Sequence, residues 1–361
     1  MSLPDLAGKV HAECVRCGLC AEECAFLQKY GLPGDIAKSV LNSHFRVDPF
    51  ECSLCQLCTE VCPEEINPHL LFPALRNRIV SADPGVLTKY RRLLVYERLG
   101  GSFLFSLYRS PQGCRSIFFP GCSISGTRPR ATMKIFQELR KLIPDLGVVL
   151  DCCSKPSLDL GNITGFRGAF QKMMSRLKSK GIQEVIVACP SCLAVFKAFA
   201  PELSVKTAWE LLPGNRSPGA GSRAGPAVYV HDPCTTRFQP GVHTQVRRLI
   251  QSLGLKIREM PNSGANTLCC GEGGAVGFVN RKLAATWGEI RKEQAGNQPV
   301  IVYCAGCAGY LDRAGIRTIY LGDLLVDIEK ALEGRIRPFR TPWTYWNRLR
   351  LKRRFVRTIL K

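Results

Sequence analysis

The sequence predicts a protein of mixed α+β and α/β class, with a small helical N-terminal domain followed by a duplicated α/β domain. Three observations predict it. Eight of the 19 cysteines fall within residues 1–75, in two identically spaced groups. From residue 115 onward, short apolar strands alternate with helix-like stretches, the pattern of sheets covered by helices. That alternation occurs twice, and cysteines sit at the same points in both passes.

The chain has 361 residues, enough for two or three domains with proper cores. Hydrophobic residues make up 45% and charged residues 22%, ordinary for a globular protein. The first residues lack the apolar run of a secretory leader, and no stretch of 18 or more apolar residues predicts a membrane span. The cysteines come as C-x-x-C clusters, not scattered pairs. In a reducing compartment that arrangement means metal or redox chemistry, so the expected location is cytoplasmic. The net charge is +21, with ten Lys or Arg and no acid between Arg335 and Lys361. This concentration points to a solvated tail or an anionic partner surface. Without a recognition fold, nucleic-acid binding is not expected.

Residues 1–75 carry Cys14, Cys17, Cys20 and Cys24, then Cys52, Cys55, Cys58 and Cys62, the last followed by Pro63. Three thiolates two residues apart can wrap one face of a cubane cluster, while the fourth reaches a neighbouring one. Structural zinc takes four ligands, typically two from each of two C-x-x-C knuckles, and does not require this longer pattern. The spacing resembles that of bacterial two-cluster ferredoxins. By that resemblance Cys14, Cys17, Cys20 and Cys62 hold one [4Fe–4S] cubane, and Cys52, Cys55, Cys58 and Cys24 hold the other.

Residues 76–114 read as a helical connector, with Leu93, Leu94, Tyr96 and Leu99 at helix-packing intervals. Residues 115–212 and 227–330 are the two repeats, joined by a Gly/Pro/Ser-rich linker over 213–226. Each repeat opens on a strand that ends in a cysteine, Cys122 or Cys234. A later strand leads to an adjacent pair, Cys152-Cys153 or Cys269-Cys270. A last strand runs into C-x-x-C, at Cys189 and Cys192 or at Cys304 and Cys307. The second copy trails the first by 112, 117 and 115 positions at these three points. In such α/β sheets ligands sit beyond the carboxyl ends of the strands, where these cysteines fall.

Five cysteines per repeat exceed what a cubane or a zinc ion needs. Adjacent side chains diverge, which suits an extended cluster whose irons are gripped by neighbouring sulfurs. The pattern, twice over after a two-cluster domain, resembles the fused heterodisulfide reductase-like iron–sulfur oxidoreductases with cysteine-rich CCG domains. Relatives in that group include iron–sulfur subunits of glycolate, lactate and glycerol-3-phosphate oxidases. The resemblance implies one noncubane [4Fe–4S] cluster on Cys122, Cys152, Cys153, Cys189 and Cys192. It implies a second on Cys234, Cys269, Cys270, Cys304 and Cys307, with disulfide reduction catalysed there. In the first repeat Ser154 replaces the glycine usual after the cysteine pair, where a positive φ is expected.

His231, in His231-Asp232-Pro233 ahead of Cys234, is a candidate to hydrogen-bond a cluster sulfur or deliver a proton. The alternative is a strand-end turn made by Asp-Pro. Gly271 to Gly277 has the wrong spacing for a dinucleotide site and reads as a tight turn round the cluster. Cys114 belongs to no set and reads as a spare buried thiol. The tail, residues 331–361, mixes aromatics with arginine and reads as an amphipathic helix on anionic lipid or an acidic partner, at the inner membrane face, or as a solvated segment. Two functions fit. One is an oxidoreductase that reduces a disulfide with electrons from its ferredoxin cubanes. The other is an electron relay between a flavoprotein or ferredoxin and a membrane cytochrome or quinone-linked subunit. A zinc-loaded scaffold is disfavoured by the five-ligand sets.

Overall fold

A computed structural model describes residues 2–43, 46–212 and 226–359. The helix Leu3–Glu13 starts in a capping box: Ser2 accepts from the Asp5 amide and Asp5 accepts from the Ser2 amide. Leu6, Ala7 and Val10 form its buried face, packed on the helix Pro33–Leu41 through Ile36, Ala37 and Val40. Phe26 and Phe72, ring centroids 4.9 Å apart and nearly perpendicular, complete this small core.

The first repeat holds a five-stranded sheet of β1 (Leu107–Arg109), β2 (Ser116–Phe119), β3 (Gly147–Leu150), β4 (Glu184–Val187) and β5 (Ser204–Thr207). The second holds β6 (Ala227–His231), β7 (Lys256–Glu259), β8 (Val300–Val302) and β9 (Thr318–Tyr320). The sheet orders are β1-β3-β2-β4-β5 and β7-β6-β8-β9, all parallel except β1 against β3. Without β1 the two orders are the same, so the repeat visible in the sequence is a repeat of topology. Ile117, Phe118 and Phe119 on β2, and Val300, Ile301 and Val302 on β8, are wholly buried, as inner strands covered on both faces must be. The edge strand β7 carries exposed Lys256, Arg258 and Glu259.

The connector is helical over Leu71–Ala82 and Arg91–Gly100, but its end supplies β1. Leu107 and Arg109 pair antiparallel with Leu150 and Val148, and so close an edge of the first sheet that would otherwise stay open. The glycine-rich linker falls on residues 213–225, outside the described residues.

The basic tail corrects an expectation. It forms the helix Trp343–Ile359, but its apolar face is covered by the protein itself. Thr344, Asn347, Leu351 and Phe355 lie on one side at helical spacing and are buried against the first repeat. The Phe355 ring meets Phe136 edge-on at 4.9 Å, and Asn347 donates to the Gly126 carbonyl at 3.0 Å. The polar residues at 352 and 353 do not interrupt this face, because they project from other sides of the helix. Outward, Trp343, Trp346, Arg350, Arg353, Arg354 and Arg357 remain exposed. Among the described residues no helix is long and apolar enough to cross a membrane.

Candidate metal centres

The two N-terminal cysteine groups are built by one local motif used twice. After Cys14 the backbone turns left-handed at Arg16 and Gly18; after Cys52 it does so at Leu54 and Gln56. A short helix follows each turn, Leu19–Glu22 and Leu57–Glu60. These turns fold the chain round the sulfurs, and the Leu54 amide points at Cys52 Sγ, 3.4 Å away. A small cavity is lined by Cys14, Cys17, Cys20 and Cys62, and also by Cys58. Cys24 lies instead with Cys52, Cys55 and Cys58. The structure therefore brings the fourth cysteine of each group to the first three of the other. Burial pushes the Cys20 thiol up to about 11 and the Cys52 thiol up to about 12. Sulfurs so crowded and so dry ionise only around a positive charge, which is what a metal cluster supplies.

In the repeats, every cysteine set gathers where its strands end. In the first, Cys152 Sγ is 3.8 Å from Cys122 Sγ, and Cys192 Sγ is 3.4 Å from Cys153 Sγ. Cys189 adjoins Cys192. In the second, Cys270 Sγ is 3.3 Å from Cys307 Sγ, with Cys234 beside Cys269 and Cys304 beside Cys307. A disulfide would hold its sulfurs at about 2 Å, and all ten cysteines are free thiols. The backbone is shaped for them. Gly121 has φ +88°, and a Cβ there would stand 3.0 Å from Cys189 Cβ and 3.2 Å from Cys192 Sγ. After the adjacent pairs, Gly271 has φ +94° and Ser154 has φ +56°. The left-handed turn is thus kept in both repeats, although in one of them a serine must adopt it. A donor set of soft thiolates with no room for protein atoms between them fits an iron–sulfur group.

The sets are neighbours. Cys52 and Cys269 share one buried cluster of side chains. Arg237 donates to the Cys55 carbonyl at 3.0 Å, tying the end of the Cys234 turn to the N-terminal domain. The Gly273-Gly274 turn lies so close to the Ser53 and Cys52 carbonyls that a Cβ at either glycine would overlap them. This is the tight turn read in residues 271–277, and what it clasps is the second N-terminal cysteine group. Between the repeats, half-buried Lys155 lies near both Cys153 and Cys234, with its ammonium held by Asp159 at 2.5 Å.

His231 ends β6 fully buried, and neither ring nitrogen has a partner among the described residues. Burial pushes its pKa down to about 3, so the imidazole is neutral. Asp232 is no mere turn residue. Arg247 grips its carboxylate at 2.8 and 3.1 Å, and Tyr303 donates to it at 2.8 Å. Cys114 is a buried thiol donating to the Ser116 carbonyl, as a spare cysteine would.

Sequence reading missed Arg76, Lys155, Glu272 and the walls of a cleft. Glu272 reaches within 4.8 Å of the Cys304 and Cys307 sulfurs. The cleft, about 890 Å³, runs from the surface to Cys270 and is lined by Lys89, Arg91, Arg92, Arg281, Lys292 and Arg313, with Glu289 the one acid. These cations come from distant stretches of chain, so no local motif announces them.

The fold and its cysteine sets define an iron–sulfur electron-transfer protein. Residues 11–66 match the family described as a 4Fe-4S dicluster domain, and residues 116–197 and 228–312 each match the cysteine-rich domain named CCG. The chain belongs to the heterodisulfide reductase-like iron–sulfur proteins that join these domains. It is 28% identical over 297 residues to a subunit of the fumarate reductase (CoM/CoB) of Methanothermobacter marburgensis, covering 76% of this chain and 59% of that one. It is 23% identical over 355 residues to a subunit of the dihydromethanophenazine:CoB–CoM heterodisulfide reductase of Methanosarcina mazei, covering 81% and 85%. A probable membrane-anchored ferredoxin of Chromohalobacter salexigens is 23% identical over 305 residues, covering 73% and 44%. The chain thus spans about three-fifths of the first relative's length and less than half of the last one's.

Proposed function

We propose that this chain is the disulfide-reducing iron–sulfur subunit of a larger redox complex. Cys14, Cys17, Cys20 and Cys62 would hold one cubane, and Cys24, Cys52, Cys55 and Cys58 the other. The five-cysteine sets of the repeats would each hold a noncubane cluster. When bound, these groups supply single electrons, two of which with two protons convert one disulfide into two thiols.

The observation that carries this reading is the cationic cleft ending at Cys270. Six cations against one acid favour a small substrate bearing several negative charges, such as a disulfide with carboxylate, sulfonate or phosphate arms. Arg281 and Arg313 would fix those arms, and the apolar wall at Phe278 and Ala284 would exclude water from the sulfur–sulfur bond. Tyr310, beneath the Arg313 guanidinium at 4.4 Å, places a hydroxyl in the same cleft. That hydroxyl would hydrogen-bond the departing thiolate.

One observation favours a second reading, an electron relay from a flavoprotein dehydrogenase or ferredoxin to a membrane cytochrome or quinone-linked subunit. The C-terminal helix turns two tryptophans and four arginines outward, a composition suited to the anionic inner face of a membrane. The relative described as membrane-anchored fits that reading. Both readings are tested on anaerobically purified, reduced protein by EPR after addition of a polyanionic disulfide. A new paramagnetic signal that depends on the disulfide and is lost in Arg281→Glu supports reduction at this cleft. Reoxidation by a quinone analogue alone, with no disulfide-dependent signal, supports the relay.

A further inference from the structure

We infer that His231 is a nitrogen ligand to an iron of the second repeat's cluster, and that the two repeats therefore hold electronically unequal centres. The inference rests on the reading that the Cys234–Cys307 set binds an iron–sulfur cluster.

His231 and Phe119 occupy the same place in the two repeats. Phe119 pairs across the sheet with Val187, two residues before Cys189; His231 pairs with Val302, two residues before Cys304. Both side chains are wholly buried. Phe119 behaves as a core residue and packs edge-on against Phe196 at 5.2 Å. His231 gains nothing comparable from polar neighbours. A buried polar group left without partners is destabilising, and a phenyl ring at the same position in the sister repeat avoids that cost. Such an orphan requires an explanation.

Most of the charged and polar groups around it are already engaged. The Asp232 carboxylate is taken by Arg247, Tyr303 and the Gly264 amide. Arg291 gives its Nη atoms to Pro261, Asn262, Gln294 and Met260, while its Nε, like the His231 ring, has no partner among the described residues. Sulfurs also approach the ring. One ring nitrogen of His231 and the sulfurs of Cys270 and Cys307 all lie within 4.8 Å of one another. Ligand atoms on one tetrahedral metal stand about 3.3–3.8 Å apart, so small side-chain adjustments bring the three onto one iron. An imidazole nitrogen is a common metal donor, and both ring nitrogens of His231 are free of protein partners among the described residues. The first repeat, with Phe119 there, has no such donor.

The test is pulsed EPR on the reduced full-length protein grown with 15N-histidine. A strongly coupled histidine nitrogen is expected, absent in His231→Phe, while the N-terminal and first-repeat signals persist as internal controls. In that variant the second-repeat spectrum should move toward that of the first. Absence of a coupled nitrogen in a wild-type protein that carries its full iron and sulfide overturns the inference. So does a coupling of only hydrogen-bond strength, or one that survives in His231→Phe. If His231→Phe loses its second-repeat cluster, the wild-type isotope measurement and a His231→Cys variant that restores the cluster without the nitrogen coupling decide the matter. Absence of iron from the repeats would instead refute the cluster reading itself, a separate outcome.

Discussion

The guanidinium of Arg76 donates to the Gly274 carbonyl at 2.9 Å, across the boundary between the N-terminal domain and the second repeat. The same side chain donates to Pro49 at 2.9 Å, Cys52 at 2.6 Å and Asp159 at 2.7 Å. One wholly buried arginine thus ties the second N-terminal cysteine group to the turn after Cys270 and to the helix after Cys153. A rigid, forked donor suits this task better than an ammonium.

Arg76→Met should leave these buried carbonyls without donors, at about 1–3 kcal/mol each where no water enters. The expected result is a loss of at least ~3 kcal/mol in anaerobic denaturation and faster amide exchange in residues 273–278. Arg76→Lys should recover little of it. Unchanged exchange there would show that the contact does not set the docking.

Ser154 holds φ +56° with no cap hydrogen bond from its side chain. A left-handed non-glycine residue costs roughly 1–2 kcal/mol, partly offset by the greater chain entropy of glycine. Ser154→Gly should therefore stabilise the first repeat by about 0.5–1 kcal/mol, and Ser154→Val should destabilise it by more than that. Chemical denaturation monitored at the cluster absorbance reads both.

Arg128 and Asp323 form a buried ion pair at 2.9 Å between the two repeats, and Arg128 also stacks on Tyr320 at 4.8 Å. Burial already raises the Asp323 pKa, and Arg128 opposes it. Arg128→Met should cost about 3–5 kcal/mol by stranding the carboxylate. Arg128→Met with Asp323→Leu should regain most of that. A double variant no better than the single would contradict this accounting.

His69, half-buried beside Thr59 Oγ1 at 3.0 Å, has its pKa pushed down to about 4 by burial. The unfolded chain therefore takes up a proton that the folded chain refuses below about pH 6.5. Stability contributed by His69 is full above that pH and falls as pH drops toward 4, by roughly 1–2 kcal/mol between about pH 7 and pH 5. His69→Gln should flatten this slope in anaerobic urea titrations over that interval. An equal slope in the variant would locate the acid sensitivity elsewhere.

Much of the site is legible in the sequence because covalent neighbours make it. The C-x-x-C turns, the adjacent pairs and the repeat of Cys122 by Cys234 all follow from local spacing. The missing glycine at Ser154 also marks a real left-handed turn. What stays hidden is made by chain segments that meet only on folding. Arg76 reads as an ordinary helix arginine until its four carbonyl partners converge from residues 49 to 274. The cleft cations are scattered from Lys89 to Arg313. The tail misleads for a related reason. Its amphipathic pattern is genuine, but the pattern alone does not say whether a membrane or Phe136 covers the apolar face. Likewise β1, three residues long, lacks a period to betray it.

The most direct test is iron and acid-labile sulfide per chain in strictly anaerobic protein, with Mössbauer spectra to separate cluster types. Four four-iron clusters predict about sixteen of each, with cubane components and, distinct from them, the components of the two repeats, which are lost when Cys269 and Cys152 are replaced by serine. Zinc in the repeats, or iron confined to the N-terminal domain, would contradict the account.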